Sequence, residues 1–290
     1  MALEIHGKTA LVTGGASGIG LAFSHKLLDG GCNVVIADLT LPPKAQELLD
    51  TKFNGASASF VKTDVTNWSQ LQAAFDHAIQ EFKQLDIVFP CAGIFDPPDV
   101  SNFWYINQGA DTVESSSFKA FELNITHPVR TTQLAIDSFK RQKLNHGVVV
   151  LISSIAAQLP LLPTPLYSAS KHAISGFVRC MAALEPALNI RINGVAPGLV
   201  KTPIWTKDKL TWVDEDVDKW VTVDQVADVL LDLVTNKEHV GGTILEVGVS
   251  SVRPVTELGD AGPQGDGFTV QGLGTAFNGV FDLIDQNFGK

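Results

Sequence analysis

Tyr167-Ser168-Ala169-Ser170-Lys171 sets a phenol and an ammonium four residues apart. On a helix that spacing puts both on one face. A free tyrosine titrates near pH ~10. A neighbouring ammonium favours the phenolate and lowers that value. The pair can then exchange a proton with a substrate hydroxyl at neutral pH. Most such pairs are surface residues, so the setting decides. Ser153-Ser154 closes the apolar run Val148 to Ile152, and Ser154 precedes Tyr167 by thirteen residues. Ligands of open α/β sheets bind at the carboxyl ends of strands. Ser154 and Tyr167 can therefore line one cleft, with the Ser154 hydroxyl holding a substrate oxygen. The alternative for either serine is a strand-end hydroxyl that satisfies backbone.

A second constellation stands near the N-terminus. Thr13-Gly14-Gly15-Ala16-Ser17-Gly18-Ile19-Gly20 follows an apolar run and opens a helical pattern. Glycines let the backbone turn tightly and approach a pyrophosphate, and the helix N-terminus supplies free N–H groups and partial positive charge. The spacing is G-x-x-x-G-x-G, and a glycine loop alone can be just a tight turn; its place between strand and helix points to nucleotide binding. Asp38 lies eighteen residues past Gly20. A carboxylate there can accept hydrogen bonds from both ribose hydroxyls of an adenosine and repels an extra phosphate. The next basic residue is Lys44. The alternative is an ordinary strand-end aspartate.

The elements that would position these groups alternate along the chain. Strands are expected at Thr9 to Thr13, Asn33 to Asp38, Ala58 to Lys62, Ile87 to Phe89, Val148 to Ile152, Ile190 to Val195 and Thr243 to Val247. Helices are expected at Gly18 to Leu28, Trp68 to Phe82, Tyr167 to Leu184 and Val223 to Leu233. The unbroken apolar strands suit a sheet covered on both faces. Repeated βα units predict an α/β fold: one Rossmann-type, doubly wound parallel sheet of about seven strands with helices on both faces. No linker divides residues 1–250, which are expected to form one dinucleotide-binding and catalytic domain. Phe95 to Ser117 breaks the rhythm as a polar-aromatic insertion. Residues 251–290 form a Gly-rich extension, either a linker or an ordered cap. Its apolar residues Phe277, Val280, Phe281, Ile284 and Phe288 follow a helical stripe, predicted to dock near the substrate cleft on its own subunit or a dimer partner.

Composition narrows the partners. The chain has 21 basic and 31 acidic residues, a net charge of −10, which disfavours nucleic acid. No apolar run is long enough to span a bilayer, and Met1 to Lys8 lacks an apolar signal core. Three scattered cysteines, Cys32, Cys91 and Cys180, read as free thiols in a reducing, cytoplasmic setting. Without a signal, the sequons at Asn67 and Asn124 carry little weight.

TGGASGIG, Asp38, Asp64-Val65, Ala92-Gly93, Asn124, Ser154, YSASK, and Pro197-Gly198 with Thr202 follow one another in an order that resembles the short-chain dehydrogenases/reductases. The resemblance covers residues 5 to about 248 and is most similar to NAD-dependent hydroxyprostaglandin dehydrogenase-like members. It implies an NAD-dependent oxidoreductase acting on a secondary alcohol or ketone, with Asn124, Ser154, Tyr167 and Lys171 as catalytic residues. It implies a cofactor site formed by Gly14, Ser17, Gly18, Ile19, Gly20, Asp38, Leu39, Asp64, Val65, Ala92, Gly93, Tyr167, Lys171, Pro197, Val200 and Thr202, and no metal. Asn124 would sit mid-helix and hold a water joining Lys171 to solvent. Asp64 would receive the adenine amino group, Val200 and Thr202 the nicotinamide carboxamide, and Lys171 the nicotinamide ribose. The oxidised ring would add a second positive charge beside Tyr167. The expected partners are a small-molecule substrate and further copies of the chain, as dimer or tetramer, with no nucleic acid and no membrane.

Two places depart from the family. Its usual N-N-A-G is Pro90-Cys91-Ala92-Gly93 here, which weakens support beside the cofactor, and Thr164 stands where the prostaglandin enzymes carry a substrate-contacting glutamine. Leu159, Leu161, Leu162, Trp205 and Trp212 suggest an apolar substrate pocket, unless they only pack under the loop. An NADPH-dependent carbonyl reductase is a second reading, which Asp38 opposes. A scaffold that binds dinucleotide without turnover is a third, opposed by the intact set of four catalytic residues. A non-redox use of the same pocket stays open.

Overall fold

The computed structural model describes residues 3–256, 265–267, 269–272, 274–276, 279, 282 and 286. One sheet runs in the order β3-β2-β1-β4-β5-β6-β7-β8. Its strands are β1 (Thr9–Thr13), β2 (Asn33–Asp38), β3 (Ala58–Lys62), β4 (Ile87–Pro90), β5 (Gly147–Ile152), β6 (Ile190–Pro197), β7 (Ile244–Val247) and β8 (Val252–Pro254). β1 to β7 are parallel, and β8 returns antiparallel to β7. The sheet thus has eight strands where about seven were expected, and the eighth lies beyond residue 250. Three half-exposed residues give β8 no periodicity to read. A side-chain clasp holds it instead: Arg253 Nη2 lies 2.6 Å from Oε2 of the fully buried Glu246 on β7.

Alternation along the strands feeds two apolar layers. Ala10, Val12, Ile36 and Phe89 face one side, beneath Phe23 and Leu27 of the helix Gly18–Asp29 and Leu230 of the helix Val223–Thr235. Leu11, Val35, Val88 and Leu151 face the other, against Leu71 and Phe75 of Trp68–Phe82, Phe139 of His127–Arg141 and Ile174 of Pro165–Cys180. Each fully buried Leu, Ile or Phe here contributes about 1.5–3 kcal/mol. Truncating Phe89 to alanine would cost about 3–5 kcal/mol.

Helix ends follow local chemistry. Asn67 caps Trp68–Phe82 by accepting the Ser69 and Gln70 N–H groups at 3.0 and 3.1 Å. The helix that carries Tyr167 begins two residues before it, because Pro165 takes the first-turn position that needs no N–H. It ends at Cys180 rather than Leu184, and a separate turn, Leu184–Leu188, follows. The helices Pro43–Asp50 and His127–Arg141 were not anticipated from the sequence. Asn124 lies in a π-helical turn, Glu122–Thr126, leading into His127–Arg141, where regular helix was expected. Such turns fit one extra residue into the helical ladder and cluster at functional sites.

β1 and β4 are neighbours, while β2 and β3 continue outward from β1. The chain therefore reverses its winding direction between β1 and β4, and a crevice opens beyond their carboxyl ends. The stripe from Phe277 to Phe288 lies outside the described residues. The described residues before it pack on the chain's own loop after β6: Leu199 N–H donates to Gly267 O, and Gly272 N–H to Trp212 O.

Candidate active site

The crevice holds a cavity of about 380 Å³. Gly14, Ser17, Gly18 and Ile19 form its floor, Asp38, Leu39, Asp64 and Val65 one end, and Ala92, Gly93 and Thr202 its sides. Gly14 has φ +64°, and a Cβ there would stand 2.7 Å from the Ala92 Cα. Only glycine fits both demands. Asp38 is fixed by its own backbone surroundings: Oδ2 accepts the Ala16 N–H at 3.0 Å, and Oδ1 accepts the Leu39 N–H at 2.7 Å. Each oxygen keeps a second lone pair for a ligand. Among the described residues no arginine or lysine lines this cavity. Asp64 Oδ1 accepts the Thr66 N–H and hydroxyl at 2.9 and 2.7 Å. These bonds hold its carboxyl below the usual range against the opposing effect of burial.

A smaller cavity of about 130 Å³ adjoins the first, sharing Ile19, Cys91, Gly93, Phe95, Thr202 and Ile204. Ser154, Tyr167 and Lys171 line it together, with Pro197 and Val200 opposite. The Ser154 hydroxyl lies near enough to the Tyr167 phenol to favour loss of its proton, and the Ser154 Oγ accepts the Ala156 N–H at 3.1 Å. Lys171 Nζ lies 5.3 Å from the centre of the Tyr167 ring and donates to Ile152 O at 2.9 Å. Ser153 also lines it, and its hydroxyl pairs with Ser175 at 2.7 Å. Of the expected site residues, Gly20 and Asn124 line neither cavity.

The proton affinities differ from the sequence expectation. Burial pushes the Tyr167 phenol up to about 12, although the Ser154 hydroxyl pulls it down. Burial also brings Lys171 down to about 8. The ammonium was expected to lower the phenol. Loss of water around the phenol raises it instead.

Asn124 works from behind the cleft. Its Nδ2 donates to Ile94 O and its Oδ1 accepts the Ile94 N–H, both at 2.9 Å. Nδ2 also reaches Ser170 Oγ at 3.3 Å. The bare α-carbon of Gly93 makes room, since a Cβ there would stand 2.8 Å from the Asn124 Oδ1. Sequence reading missed how the Pro90-Cys91 departure is supported. Thr13 Oγ1 accepts the Cys91 N–H at 3.2 Å and lies 2.9 Å from His127 Nε2, while His127 Nδ1 lies 3.0 Å from Leu123 O. Burial brings His127 down to about 4, so the ring is neutral at pH 7. Donation from Nδ1 to the Leu123 carbonyl leaves Nε2 to accept the Thr13 hydroxyl. The one available signal was a histidine three residues after Asn124, on the same helical face.

An aromatic wall closes the smaller cavity. Phe95 packs on Tyr167 with ring centres 4.6 Å apart, and on Trp205 at 5.4 Å. Trp212, expected in the same pocket, stands behind Phe95 at 6.2 Å and does not line it, nor do Leu159 and Leu162. Behind the wall lie two charged residues that the sequence did not single out. Asp96 is fully buried, and Lys209 is 1% exposed. Lys209 Nζ donates to Asp96 O at 2.9 Å, across 113 positions of sequence.

Among the described residues no group of three or more His, Cys, Asp or Glu could hold a metal, and no helix is long and apolar enough to cross a membrane. The short chain dehydrogenase family model matches residues 8–211. The chain is 35% identical over 207 residues to 15-hydroxyprostaglandin dehydrogenase (NAD(+)) of Rattus norvegicus, covering 70% of this chain and 71% of that one. Two solved structures share the fold. NADPH-dependent 3-quinuclidinone reductase from Rhodotorula rubra matches with TM-score 0.71 at 22% identity, over 85% of this chain and 91% of that one. The 3-ketoacyl-(acyl-carrier-protein) reductase from Brucella melitensis, complexed with NADH, matches with TM-score 0.68 at 23% identity, over 85% and 98%. Sheet order, glycine loop, matched span and relatives agree, and the chain belongs to the short-chain dehydrogenase family of oxidoreductases.

Proposed function

We propose that the protein transfers a hydride between a lipophilic secondary alcohol or ketone and NAD(H), with Tyr167 as general acid and base. The observation that carries this reading is the convergence of Ser154, Tyr167 and Lys171 on a cavity that opens into the glycine-lined one. The larger cavity fits a dinucleotide, since a Cβ at Gly14 would fill its floor and Asp38 keeps acceptors for a ribose. The cofactor, when bound, supplies the hydride acceptor or donor. The preference for NAD(H) rests on the Asp38 carboxylate and on a lining that includes no basic residue among the described residues.

Each of the chain's own groups has a task at a stated atom. The Ser154 hydroxyl holds the substrate oxygen beside the phenol. Tyr167 Oη takes the hydroxyl proton during oxidation and returns it during reduction. Lys171 is fixed through Ile152 O, and its positive charge favours the phenolate when the proton leaves. Asn124 keeps the Ile94 backbone, and with it the Gly93 turn, in register. Ile155, Leu161, Leu199, Ile204 and Trp205 surround the reacting end with apolar surface and exclude water. Apart from Lys171 no charged side chain among the described residues lines this cavity, which favours an uncharged substrate at the reacting end.

The test is a calorimetric titration with NAD(H) and NADP(H), followed by a screen of lipophilic alcohols and ketones for a change in NADH absorbance. Saturable NADH binding with turnover of such a substrate is expected. Failure to bind either dinucleotide would refute the proposal.

A further inference from the structure

Asp96 stands where the loop after β4 meets the helix Pro165–Cys180. Its φ is +38°, a left-handed conformation that aspartate tolerates better than most residues. Its Oδ2 accepts the Leu166 N–H at 3.1 Å, and the Tyr167 N–H faces the same carboxylate. Among the described residues Oδ1 has no hydrogen-bond partner. The adjoining residue, Phe95, packs on the Tyr167 ring. Lys209 arrives from the short helix Lys207–Leu210, over the Phe95 and Trp212 rings at 5.4 and 5.9 Å. It is held by Asp96 O, by Thr206 Oγ1 at 3.2 Å and by Asp208 Oδ2 at 3.3 Å.

We propose that Asp96 is a positioning residue for Tyr167: its buried carboxylate caps the helix that carries the phenol, and its charge, offset by Lys209, sets how readily that phenol gives up its proton. The proposal deepens the reading of Tyr167 as acid and base and rests on it. A carboxylate buried beside a phenol disfavours the phenolate, and the low local dielectric strengthens the effect. The charges facing Asp96 are Lys209 from the short helix Lys207–Leu210 and Asp111 from the insertion. Asp111 is tied down by Ser101 Oγ and the Lys119 N–H at 2.7 and 2.8 Å. Facing Tyr167 are Asp96, the Cys91 thiol and Lys171. Burial holds the Asp96 carboxyl up at about 7, with Lys209 pulling it down. The carboxylate therefore gains its charge near neutral pH, and the phenol then holds its proton more firmly.

The chain has only two tyrosines, Tyr105 and Tyr167. In a Tyr105→Phe background the ultraviolet absorbance of the phenolate reports Tyr167 directly, whether or not Tyr167 is the catalytic acid. Circular dichroism at each pH checks that the fold is intact. Asp96→Asn keeps an oxygen to accept the Leu166 N–H but removes the charge. It should lower the phenolate midpoint by roughly half a pH unit or more, about a threefold gain in phenolate at fixed pH. The alkaline limb of the oxidation profile should move with it. An unmoved midpoint in a folded Asp96→Asn protein overturns the proposal. If that variant does not fold, Asp96→Ser gives the reading: it also removes the charge while keeping a hydroxyl acceptor, so the midpoint should again fall, and no movement again overturns the proposal. A moved midpoint with an unmoved rate profile supports the role of Asp96 and removes Tyr167 as acid and base.

Discussion

Asp38→Asn tests cofactor choice with the least damage to the loop. The carboxylate accepts the Ala16 and Leu39 N–H groups, one on each oxygen. Alanine would strand both donors, whereas asparagine keeps one acceptor. In the unmutated protein a phosphate on the adenosine ribose would bring a second anion beside this carboxylate. Two unit charges about 4 Å apart repel by about 1 kcal/mol in water and by about 4 kcal/mol at an effective dielectric near 20. Asp38 is half-buried at an open cavity, so about 1.4–2.7 kcal/mol is expected, a preference for NADH of roughly tenfold to hundredfold. Asparagine removes that repulsion. It also loses one acceptor for the ribose, worth about 1 kcal/mol. NADPH should therefore bind more tightly and NADH more weakly, closing the gap from both sides. Trp205 lines the adjoining cavity, so emission quenching can report both titrations, with calorimetry as a check. Equal affinities in the unmutated protein, or an unchanged ratio in Asp38→Asn, would refute the argument from charge.

Tyr167→Phe keeps the ring and its packing on Phe95 but removes the exchangeable proton; kcat should fall by ~10²-fold or more while NADH still binds. Near-normal turnover would place the base elsewhere. With the phenol up at about 12, oxidation, which needs the proton gone, should quicken as pH rises through the alkaline range, and reduction should slow; parallel profiles, where chemistry limits the rate, would contradict the assignment. Lys171→Met should damage turnover and cofactor affinity together. Because Lys171 falls from 10.5 to about 8 on folding, the unfolded chain binds more protons between those values, so the Lys171 contribution to stability should rise with pH across about 8 to 10.5, against the opposite contributions of the buried Cys32 and Cys91 thiols. Thermal melts of Lys171→Met should lack that rise. Gly14→Ala meets both a left-handed φ of +64° and a 2.7 Å approach to Ala92. It should cost about 1–3 kcal/mol and weaken NADH binding, and an unchanged melting temperature and affinity would show the loop to be unconstrained.

What the sequence determined by itself was whatever depends on neighbours in the chain. The glycine loop between β1 and its helix, the unbroken apolar strands, and the four-residue spacing of Tyr167 and Lys171 are local properties, and the folded chain keeps them. What only the tertiary structure decided depends on partners far apart in sequence. Thr13 and His127 meet across 114 positions, and Asp96 and Lys209 across 113. β8 belongs to the sheet through Arg253 and Glu246 rather than through any pattern of its own. The direction of the Tyr167 shift belongs here too. An ammonium four residues away can be read from the chain, but the loss of water around the phenol cannot. Desolvation is set by everything that packs around a group, so only the assembled fold shows that burial raises the phenol.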